Sequence, residues 1–595
     1  MAVSPILDSD GDTRVSVYSG GQAIDAAIGI LSVVVSHAVN KVPSARIVMA
    51  EDDEVRGRLS LSDSDLFKPG KEIRIAAGYG SKETTIFEGV VVSLGLRSAG
   101  GAVRLAIECR DKALAMTLGR RSANYVDASD AEILSRLIGA YSGLTVSVRG
   151  TEPTHKELVQ YDVSDWDFML ARAEANGLVV VVEAGKLTVA PPATSGAAAL
   201  LLTFGVDLLA FDADLDARSQ LGVVDSTAWD PATQEVVTHA EKPRALNAQG
   251  NLDGAALAKV LDLGSYRMQS AAPLGAQGLK AWSAARQMRA GLARVRGRMR
   301  FQGSALARPG TLAQLAGVGK RFEGDTWLSA VTHTLADGDW ITEAQFGMAP
   351  DSLAERHNLA APMAGGLTAG VSGLQIGVVK KLDEDPNKQF MIQVTVPVMQ
   401  AETDGVWARL TSFYGSDGVG SFFIPEIGDE VILGFLNNDP THPLILGSLY
   451  SSKRAPPYQL GAENNTKAIV TRSKLRIEFD EKKKMVTVLT PAGNKVELSD
   501  DAKTITLLDE TGNKLTLAPG GITLDSPKDI VLSAKGKLTI DAVGNVDIIS
   551  KADLKQAALN ITSQASMGFT AKGATSAELS ATGQTTVKGA MVMIN

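Results

Sequence analysis

The side chains that most often do chemistry in proteins are scattered through this sequence. The six histidines are dispersed along the chain, at His37, His155, His239, His333, His357 and His442. A lone histidine is far more often a structural or surface residue than a ligand or a base. The acidic groups Asp52-Asp53 and Asp383-Glu384-Asp385 could do general acid/base work, but such groups in loops are usually solvated charges.

The segment Gly317-Val318-Gly319-Lys320-Arg321 comes nearest to a phosphate-binding loop. Gln314 stands where that loop needs an earlier glycine, and Arg321 replaces the hydroxyl that would reach magnesium, so we interpret the segment as a turn. The sequence also has no His-Glu-x-x-His and no Gly-x-Ser-x-Gly motif. We therefore predict no catalytic, cofactor-binding or metal-ligating residues, no cofactor and no enzymatic activity.

Composition limits the possible partners. The 595 residues correspond to roughly four domains at about 150 residues each. The 59 basic residues against 67 acidic ones give a net charge of −8, which argues against nucleic-acid binding. A single cysteine, Cys109, cannot form an intrachain disulfide and is expected to be a small buried side chain. The N-terminus lacks the pattern of a secretory signal, so we expect the chain to be assembled in the cytoplasm.

Glycine at 58 positions, aromatic residues at only 5% and short alternating segments favour a mainly β protein. Helical spacing after a capping Ser or Asp predicts helices around 130–138 and 165–174, and another is expected around 279–290. These patterns divide the chain into a first β-barrel (1–120), a helix-containing insertion (121–198), a second β-barrel (199–350), a glycine-rich linker (351–374), a five-stranded barrel of the OB type (375–450), a connector (451–470) and a repeat region (471–595).

The repeat region contains apolar pairs two residues apart, beginning with Val486/Val488, and the pairs recur every eight residues from Ile522. After a slip near Leu554 we expect the phase to resume with Leu559/Ile561 and Met567/Phe569. Eight residues supply only one wall of a β-solenoid, so three copies wound together are needed to close a prism. The sequence thus predicts a homotrimeric rod with these core residues: Ile522, Leu524, Ile530, Leu532, Leu538, Ile540, Val546 and Ile548.

The last residues of this rod, Met591, Val592, Met593, Ile594 and Asn595, would present three copies of apolar side chains and unpaired strand ends. We expect another protein to bind and cap them.

The stretch from Gly420 to Tyr450 closely resembles the OB-fold signature of the VgrG spike family. Residues 378–397 resemble the first two strands of that fold, and residues 164–177 resemble the family's hub helix. The signature residues are Phe422, Phe423, Pro425, Gly428, Asp429, Gly434, Phe435, Asp439, Pro440, Pro443, Gly447 and Ser448.

This resemblance implies a mainly β chain with two hub β-barrels carrying helical insertions, an OB-fold barrel and a trimeric β-helix needle. It further implies a structural spike of a contractile injection system that crosses the target membrane mechanically. The implied partners are a hexameric inner tube protein at the hub, baseplate components, a PAAR-type tip protein and, in some systems, effector cargo. Family members with lysozyme or toxin domains carry them in slots that we expect to be unfilled here.

Three alternatives remain beside the preferred extracellular or phage-like particle. The first is a type VI secretion spike, which differs mainly in its partners. The second is an envelope-degrading hydrolase on the same scaffold, which an assay of peptidoglycan cleavage would detect. The third is a carbohydrate-binding tail fibre, and the lack of Trp and Tyr beyond Tyr458 argues against it.

Overall fold

The computed structural model describes residues 2–8, 11–51, 59–100, 102–356, 359–399 and 405–594. Asp52-Asp53, His357 and Asn595 lie outside the described residues. The chain folds as two units, Met1–Leu449 and Tyr450–Asn595. A search of the described ranges found no helix that combines the length and the apolar character needed to cross a membrane.

The first unit begins with a short 3₁₀ helix, Pro5–Asp8, and an antiparallel set of strands. Alternating burial along these strands places one face in a core that includes Ile47, Phe67 and Cys109, so the prediction that Cys109 is buried is confirmed. The strands are β1 (Thr13–Ser19), β2 (Gln22–Ala23), β3 (Ile30–Ala38), β4 (Ser44–Ala50), β5 (Glu72–Tyr79), β6 (Lys82–Ala99) and β7 (Ala102–Arg110).

The helix-containing insertion follows a 3₁₀ helix, Lys112–Thr117, and has a core of its own. The predicted helices α1 and α2 are confirmed, and each begins after a serine whose side chain accepts a backbone N–H: Ser129 from Glu132 and Ser164 from Asp167. The elements are β8 (Arg121–Ser129), α1 (Asp130–Gly139), β9 (Thr145–Val148), β10 (Thr154–Val163), α2 (Asp165–Ala175), β11 (Val179–Glu183) and β12 (Lys186–Ala190).

The next part of the chain contributes strands to the first sheet and also forms a separate three-stranded sheet, β16-β15-β17. It comprises β13 (Leu200–Thr203), β14 (Leu208–Leu215), β15 (Val224–Asp230), β16 (Glu235–Glu241), α3 (Gly254–Leu261), β17 (Tyr266–Ser270), α4 (Ala276–Leu292), β18 (Val295–Gln302), β19 (Leu312–Ala316), β20 (Gly324–Ala336) and β21 (Asp339–Phe346). The third predicted helix is therefore present as α4. The segment at Gly317–Arg321 is a turn, as predicted.

The two expected hub barrels are joined in one 13-stranded sheet. Its main path is β14-β18-β21-β20-β3-β4-β7-β6-β5-β1-β2, and β13 and β19 extend it beside β20. The junction is the 13-residue strand β20, which pairs with β3 from the N-terminal part and with β21 from the later part. Separate hydrophobic cores remain on the two sides of this junction, one around Ile47 and one around Phe301.

The start of the expected linker is fixed to the first unit. Glu174 of α2 forms an ion pair with Arg289 of α4, and its second oxygen accepts the N–H of Leu353 at 2.8 Å. Leu353 itself is buried in the insertion core. A one-turn helix, α5 (Leu353–Arg356), and a 3₁₀ turn, Met363–Gly366, interrupt the glycine-rich stretch that follows.

The OB-type barrel is confirmed as a closed five-stranded barrel in the order β22-β23-β24-β28-β27. Inward-facing aliphatic side chains, such as Val394, Val431 and Ile445, fill its core. The strands of this region are β22 (Gln375–Lys381), β23 (Ile392–Thr395), β24 (Val406–Leu410), β25 (Gly415–Ser416), β26 (Val419–Gly420), β27 (Glu430–Phe435) and β28 (Pro443–Ser448), with 3₁₀ turns at Pro397–Met399 and Leu436–Asn438. Of these, β25 and β26 form a separate two-stranded hairpin.

The second unit starts with a seven-stranded antiparallel meander in which each strand pairs with the next along the chain. The strands are β29 (Thr466–Val470), β30 (Arg476–Asp480), β31 (Met485–Leu489), β32 (Lys495–Ser499), β33 (Thr504–Leu508), β34 (Lys514–Ala518) and β35 (Gly521–Asp525). Residues 526–594 then contain neither strand nor helix and bend at regular intervals.

Candidate assembly surfaces

One face of the meander is a continuous apolar surface, two side chains wide and seven strands long. The strand register aligns the apolar positions: Val488 lies opposite Val496, which in turn lies opposite Leu507. We call this surface the apolar face; it comprises Ile469, Ile477, Phe479, Val486, Val488, Val496, Leu498, Ile505, Leu507, Leu515, Leu517, Ile522 and Leu524.

The opposite face carries a polar column in the same register. Glu497 lies opposite Thr506, which lies opposite Thr516, and Thr516 lies opposite Thr523. Burial of the two faces is the reverse of what a globular domain shows, since Thr506 is 8% exposed whereas Ile505 and Leu507 beside it are 43% and 42% exposed. Covering each apolar side chain would stabilise the structure by roughly 1 kcal/mol, so the apolar face requires a partner.

Tight turns with a shared sequence connect the meander strands. Asn494 and Asn513 each end a turn that contains a glycine with positive φ, Gly493 and Gly512. The Asp509 carboxylate accepts hydrogen bonds from the side chains of Asn513 and Thr511, which lowers the pKa of Asp509 to about 2. The repeated Gly-Asn-Lys at 493–495 and 512–514 is the sequence signal for hairpins within one chain.

The meander corrects the prediction that residues 471–525 form part of an intertwined β-helix. An intertwined β-helix was expected from residue 471, but the strands up to β35 pair within the chain because short turns bring neighbouring strands together. Ile522 and Leu524 of the predicted core lie in β35, opposite Leu517 and Leu515. Strand pairing that needs other chains thus begins after Asp525, whereas the apolar face before it needs other chains only to be covered.

Residues 526–594 show the eight-residue period in the backbone itself. Bends occur at 527–528, 535–536, 543–544, 551–552, 559, 566–567, 574–575, 582–583 and 590–591. The other predicted core pairs follow the first three bends by three and five residues: Ile530/Leu532, Leu538/Ile540 and Val546/Ile548. In the part of the chain that the structure describes, no β-ladder pairs this segment, so its backbone groups lack the partners that strands require.

One pair of consecutive eight-residue units is one residue shorter than the other pairs. The bends at 551–552 and 566–567 are 15 residues apart instead of 16, with a single bend at 559 between them. Leu559 and Met567 therefore lie at bends and are 99% and 101% exposed, which corrects their expected inward positions. Ile561, at 58% exposed, falls within the range of the predicted core residues.

The predicted tip residues are also exposed. Met591, Val592, Met593 and Ile594 present their side chains to solvent in the single chain. Their position at the final bend gives this end an apolar surface without a partner among the described residues.

The signature residues of the OB barrel divide into two groups. Pro425 and Pro443 are buried, Phe435 packs against the barrel core, and Asp439 accepts hydrogen bonds from the backbone and hydroxyl of Thr441 in a turn. Gly428 and Asp429 form a turn, Gly434 lies in β27, Gly447 and Ser448 lie in β28, and Pro440 follows Asp439. Phe422 and Phe423 instead are 87% and 61% exposed beside the β25–β26 hairpin, so they form a second candidate contact surface.

Several of the polar residues considered for catalysis have structural partners in the described part of the chain. His155 lies 3.0 Å from Asp130, and His239 lies 3.3 Å from Glu241. Asp385 accepts the N–H groups of Asn387, Gln389 and Met391, which close a loop. A search of the described residues found no group of three or more His, Cys, Asp or Glu side chains arranged to hold a metal ion.

His333 makes the stability of the first unit depend on pH. Burial, followed by the nearby His37, lowers the pKa of His333 to about 3, so it stays neutral in the folded chain while the unfolded chain takes up a proton below about pH 6.5. Stability should therefore fall as the pH falls below 6.5, by about 1.4 kcal/mol per pH unit. Thermal unfolding midpoints measured from about pH 7.5 to about pH 5 should show this slope, and His333→Phe should reduce it. The exposed His442→Gln variant should keep the wild-type slope; equal slopes in all three proteins would contradict the assignment.

Comparison with known proteins supports the resemblance to the VgrG spike family. Residues 375–450 match the Type VI secretion system/phage-baseplate injector OB domain. The Type VI secretion system spike proteins VgrG5 and VgrG1a of Pseudomonas aeruginosa are 41% and 36% identical over 63 and 72 residues, which are 11% and 12% of this chain. These matches span 8% and 11% of the two relatives. The resemblance to VgrG-type hub and spike proteins is thereby confirmed.

The N-terminal part defines the family. The chain belongs to the family of the Alg8 N-terminal domain, whose model matches residues 9–337. Among solved structures, the 43 kDa tail protein of prophage MuSo2 from Shewanella oneidensis aligns with a TM-score of 0.44 at 11% identity, over 57% of this chain and 98% of that protein.

Proposed function

We propose that this protein is the homotrimeric hub and spike at the tip of a contractile injection machine. Its work is mechanical: the first unit joins the hexameric inner tube and baseplate components, and the second unit forms the needle that punctures the target envelope. The observation that carries this proposal is the second unit, in which an apolar face continues into a regularly bent segment without a ladder among the described residues. Three copies would cover the face and supply the missing strand partners.

The proposed role also fits the chemistry of the described residues, where hydrogen bonds and ion pairs hold turns and helices. We propose no catalytic activity for the chain and no resident cofactor. An assay of peptidoglycan cleavage with the purified protein tests the alternative of an envelope-degrading hydrolase, and turnover would overturn the mechanical proposal.

The type of machine is a finer proposal. We favour an extracellular or phage-like particle, assembled in the cytoplasm and then delivered to or across the target envelope. A type VI secretion spike is the alternative, because the relatives named above carry that description. Isolation of assembled particles distinguishes the two, since free contractile particles containing this chain support the first and a membrane-anchored apparatus supports the second.

The mass of the purified protein in solution tests the trimer. Light scattering should give about three times the chain mass of 62.4 kDa for the full chain. A variant ending before Thr471 lacks the apolar face beyond Ile469 and should show only the residual association of the hub. A monomeric full chain at the concentrations used would contradict the proposed needle.

The apolar tip predicts a separate cap, which we propose to be a PAAR-type protein. Removing Val587–Asn595 should abolish capture of a purified PAAR-type protein from the same system and leave the trimer intact. The control variant Ala574→Ser/Thr575→Ser changes an earlier bend and should bind the cap normally. Normal binding by the truncated protein would show that the cap uses another surface.

A further inference from the structure

A cavity of about 790 Å³ lies in the first unit where three parts of the chain meet. One wall comes from β3 and β6, a second from the β11–β12 hairpin, and a third from β20 and the loop at 305–311. The assembly surfaces described above use none of these residues. The volume falls within the range of about 300–1,000 Å³ that is typical of binding sites for small molecules.

The floor of the cavity is apolar but contains two imidazoles. Phe87 and Val182 are buried there, and His333 is only 3% exposed. Nδ1 of His333 lies 3.0 Å from the hydroxyl of Thr342, whereas its Nε2 has no hydrogen-bond partner among the described protein atoms. Because His333 lines the cavity, a polar group on a bound molecule could form a hydrogen bond with this nitrogen.

His37 presents an acceptor to the same space. Its Nε2 lies 2.9 Å from the carbonyl oxygen of Ile86, and because a carbonyl can only accept, Nε2 donates the hydrogen bond. Nδ1 of a neutral His37 then carries a lone pair. Burial lowers the pKa of His37 and of His333, so both rings are neutral near pH 7.

The rim is negatively charged. Glu83, Glu88 and Glu183 line it with a single basic residue, Arg308, giving −3 + 1 = −2. Arg308 forms an ion pair with Glu183, with 2.7 Å between Nη1 and Oε1. The hydroxyl of Ser16 donates a hydrogen bond to the Glu83 carboxylate at 2.8 Å. Glu88 is exposed and has no ion pair in the part of the chain that the structure describes, so its carboxylate is available to a ligand.

We propose that this cavity binds an organic cation, namely an aliphatic amine or guanidine. The charged head lies at the rim beside Glu88, and the aliphatic stem packs on the apolar floor. A donor at the far end of the ligand bonds to an imidazole nitrogen. The negative rim disfavours nucleotides and other anions. The same chemistry is offered by a free amine and by a lysine or arginine side chain of another polypeptide.

Calorimetric titration of the full-length protein tests the site, with 5-amino-1-pentanol as the free amine and acetyl-Gly-Lys-Gly-amide as the peptide. Either probe should bind, whereas 1,5-pentanediol, which lacks the charge, should not. Glu88→Gln should weaken binding about tenfold, because a charge-assisted hydrogen bond is lost. The matched variant Glu235→Gln removes an exposed carboxylate on β16, away from the cavity, and should bind like the wild type.

The two probes distinguish the source of the ligand, since binding of the peptide assigns the cavity to a partner polypeptide and binding of the amine alone assigns it to a small molecule. Binding of neither probe overturns the proposal, as does equal binding of pentanediol or an unchanged affinity in Glu88→Gln. The site lies within one chain, so these results are independent of the proposed trimeric needle.

Discussion

Ile505→Lys should prevent the needle from forming. Ile505 lies near the centre of the apolar face, opposite Leu498 and Leu517, so a trimer would place three ammonium groups in its apolar core. An uncompensated buried charge costs about 3–5 kcal/mol, and three of them should weaken association of the second unit by more than about a thousandfold. Limited proteolysis should then digest residues 526–594, which should resist digestion in the wild type.

Thr504→Lys is the matched control for this variant. It adds the same charge at the neighbouring position of β33, on the polar face, where Thr504 lies opposite Ser499. Because Thr504 is the first residue of β33 and only half-buried, lysine can extend from this position into solvent, and digestion should follow the wild-type pattern. If both lysine variants were digested alike, or if neither were, the apolar face would not be the surface that joins the chains.

Asp130→Ala should unfold the helical insertion locally. The Asp130 carboxylate is 1% exposed and receives Nε and Nη2 of Arg172 at 2.7 and 2.9 Å, the side chain of Asn176 at 2.8 Å and His155 at 3.0 Å. Burial alone would raise its pKa, but these hydrogen bonds and the Arg172 charge hold the pKa below its usual value. Removing the carboxylate leaves the α2 side chain of Arg172 without its partner and should cost about 3–5 kcal/mol.

Hydrogen exchange of the backbone amides of α1 and α2 measures this local loss of stability directly. Protection in both helices should fall together, because Asp130 lies in the first turn of α1 and Arg172 lies in the last turn of α2. Asp127→Ala provides the comparison, since Asp127 pairs with Lys156 at 2.7 Å on the surface and such pairs contribute about 0–1 kcal/mol. Equal protection in the two variants would show that the Asp130 network does not hold α1 to α2.

Local signals in the sequence predicted the local structure well. The serine caps and the helical spacing identified α1 and α2, and the alternation of apolar residues identified the OB barrel. The parts of the fold that the sequence did not predict depend on contacts between residues far apart in the chain. Pairing of β20 with β3 joins Val331 to His37 across almost 300 positions, and no local pattern encodes that choice.

The assembly surfaces were only partly visible in the sequence. The eight-residue spacing identified the inward positions of 526–548 because their period is regular. It placed Leu559 and Met567 at inward positions although both lie at bends, whereas the later pairs Ala577/Leu579 and Thr585/Val587 follow their bends by three and five residues, as the core pairs do. The repeated Gly-Asn-Lys turns were the available signal for the meander within one chain. Exposure of Phe422 and Phe423 could not be anticipated, because they lie outside the strands and no alternation marks which way their side chains face.

The change from in-chain ladders to unpaired bends after Asp525 divides the folding of the second unit into two kinetic steps. The meander consists of hairpins between neighbouring strands, and such local contacts form quickly in a single chain. In the proposed trimer, residues 526–594 find their strand partners only on other chains, so this segment folds at a rate that rises with protein concentration. Dilution would therefore slow completion of the needle without slowing the meander, and the cell must keep three growing chains close together until the last bend is wound.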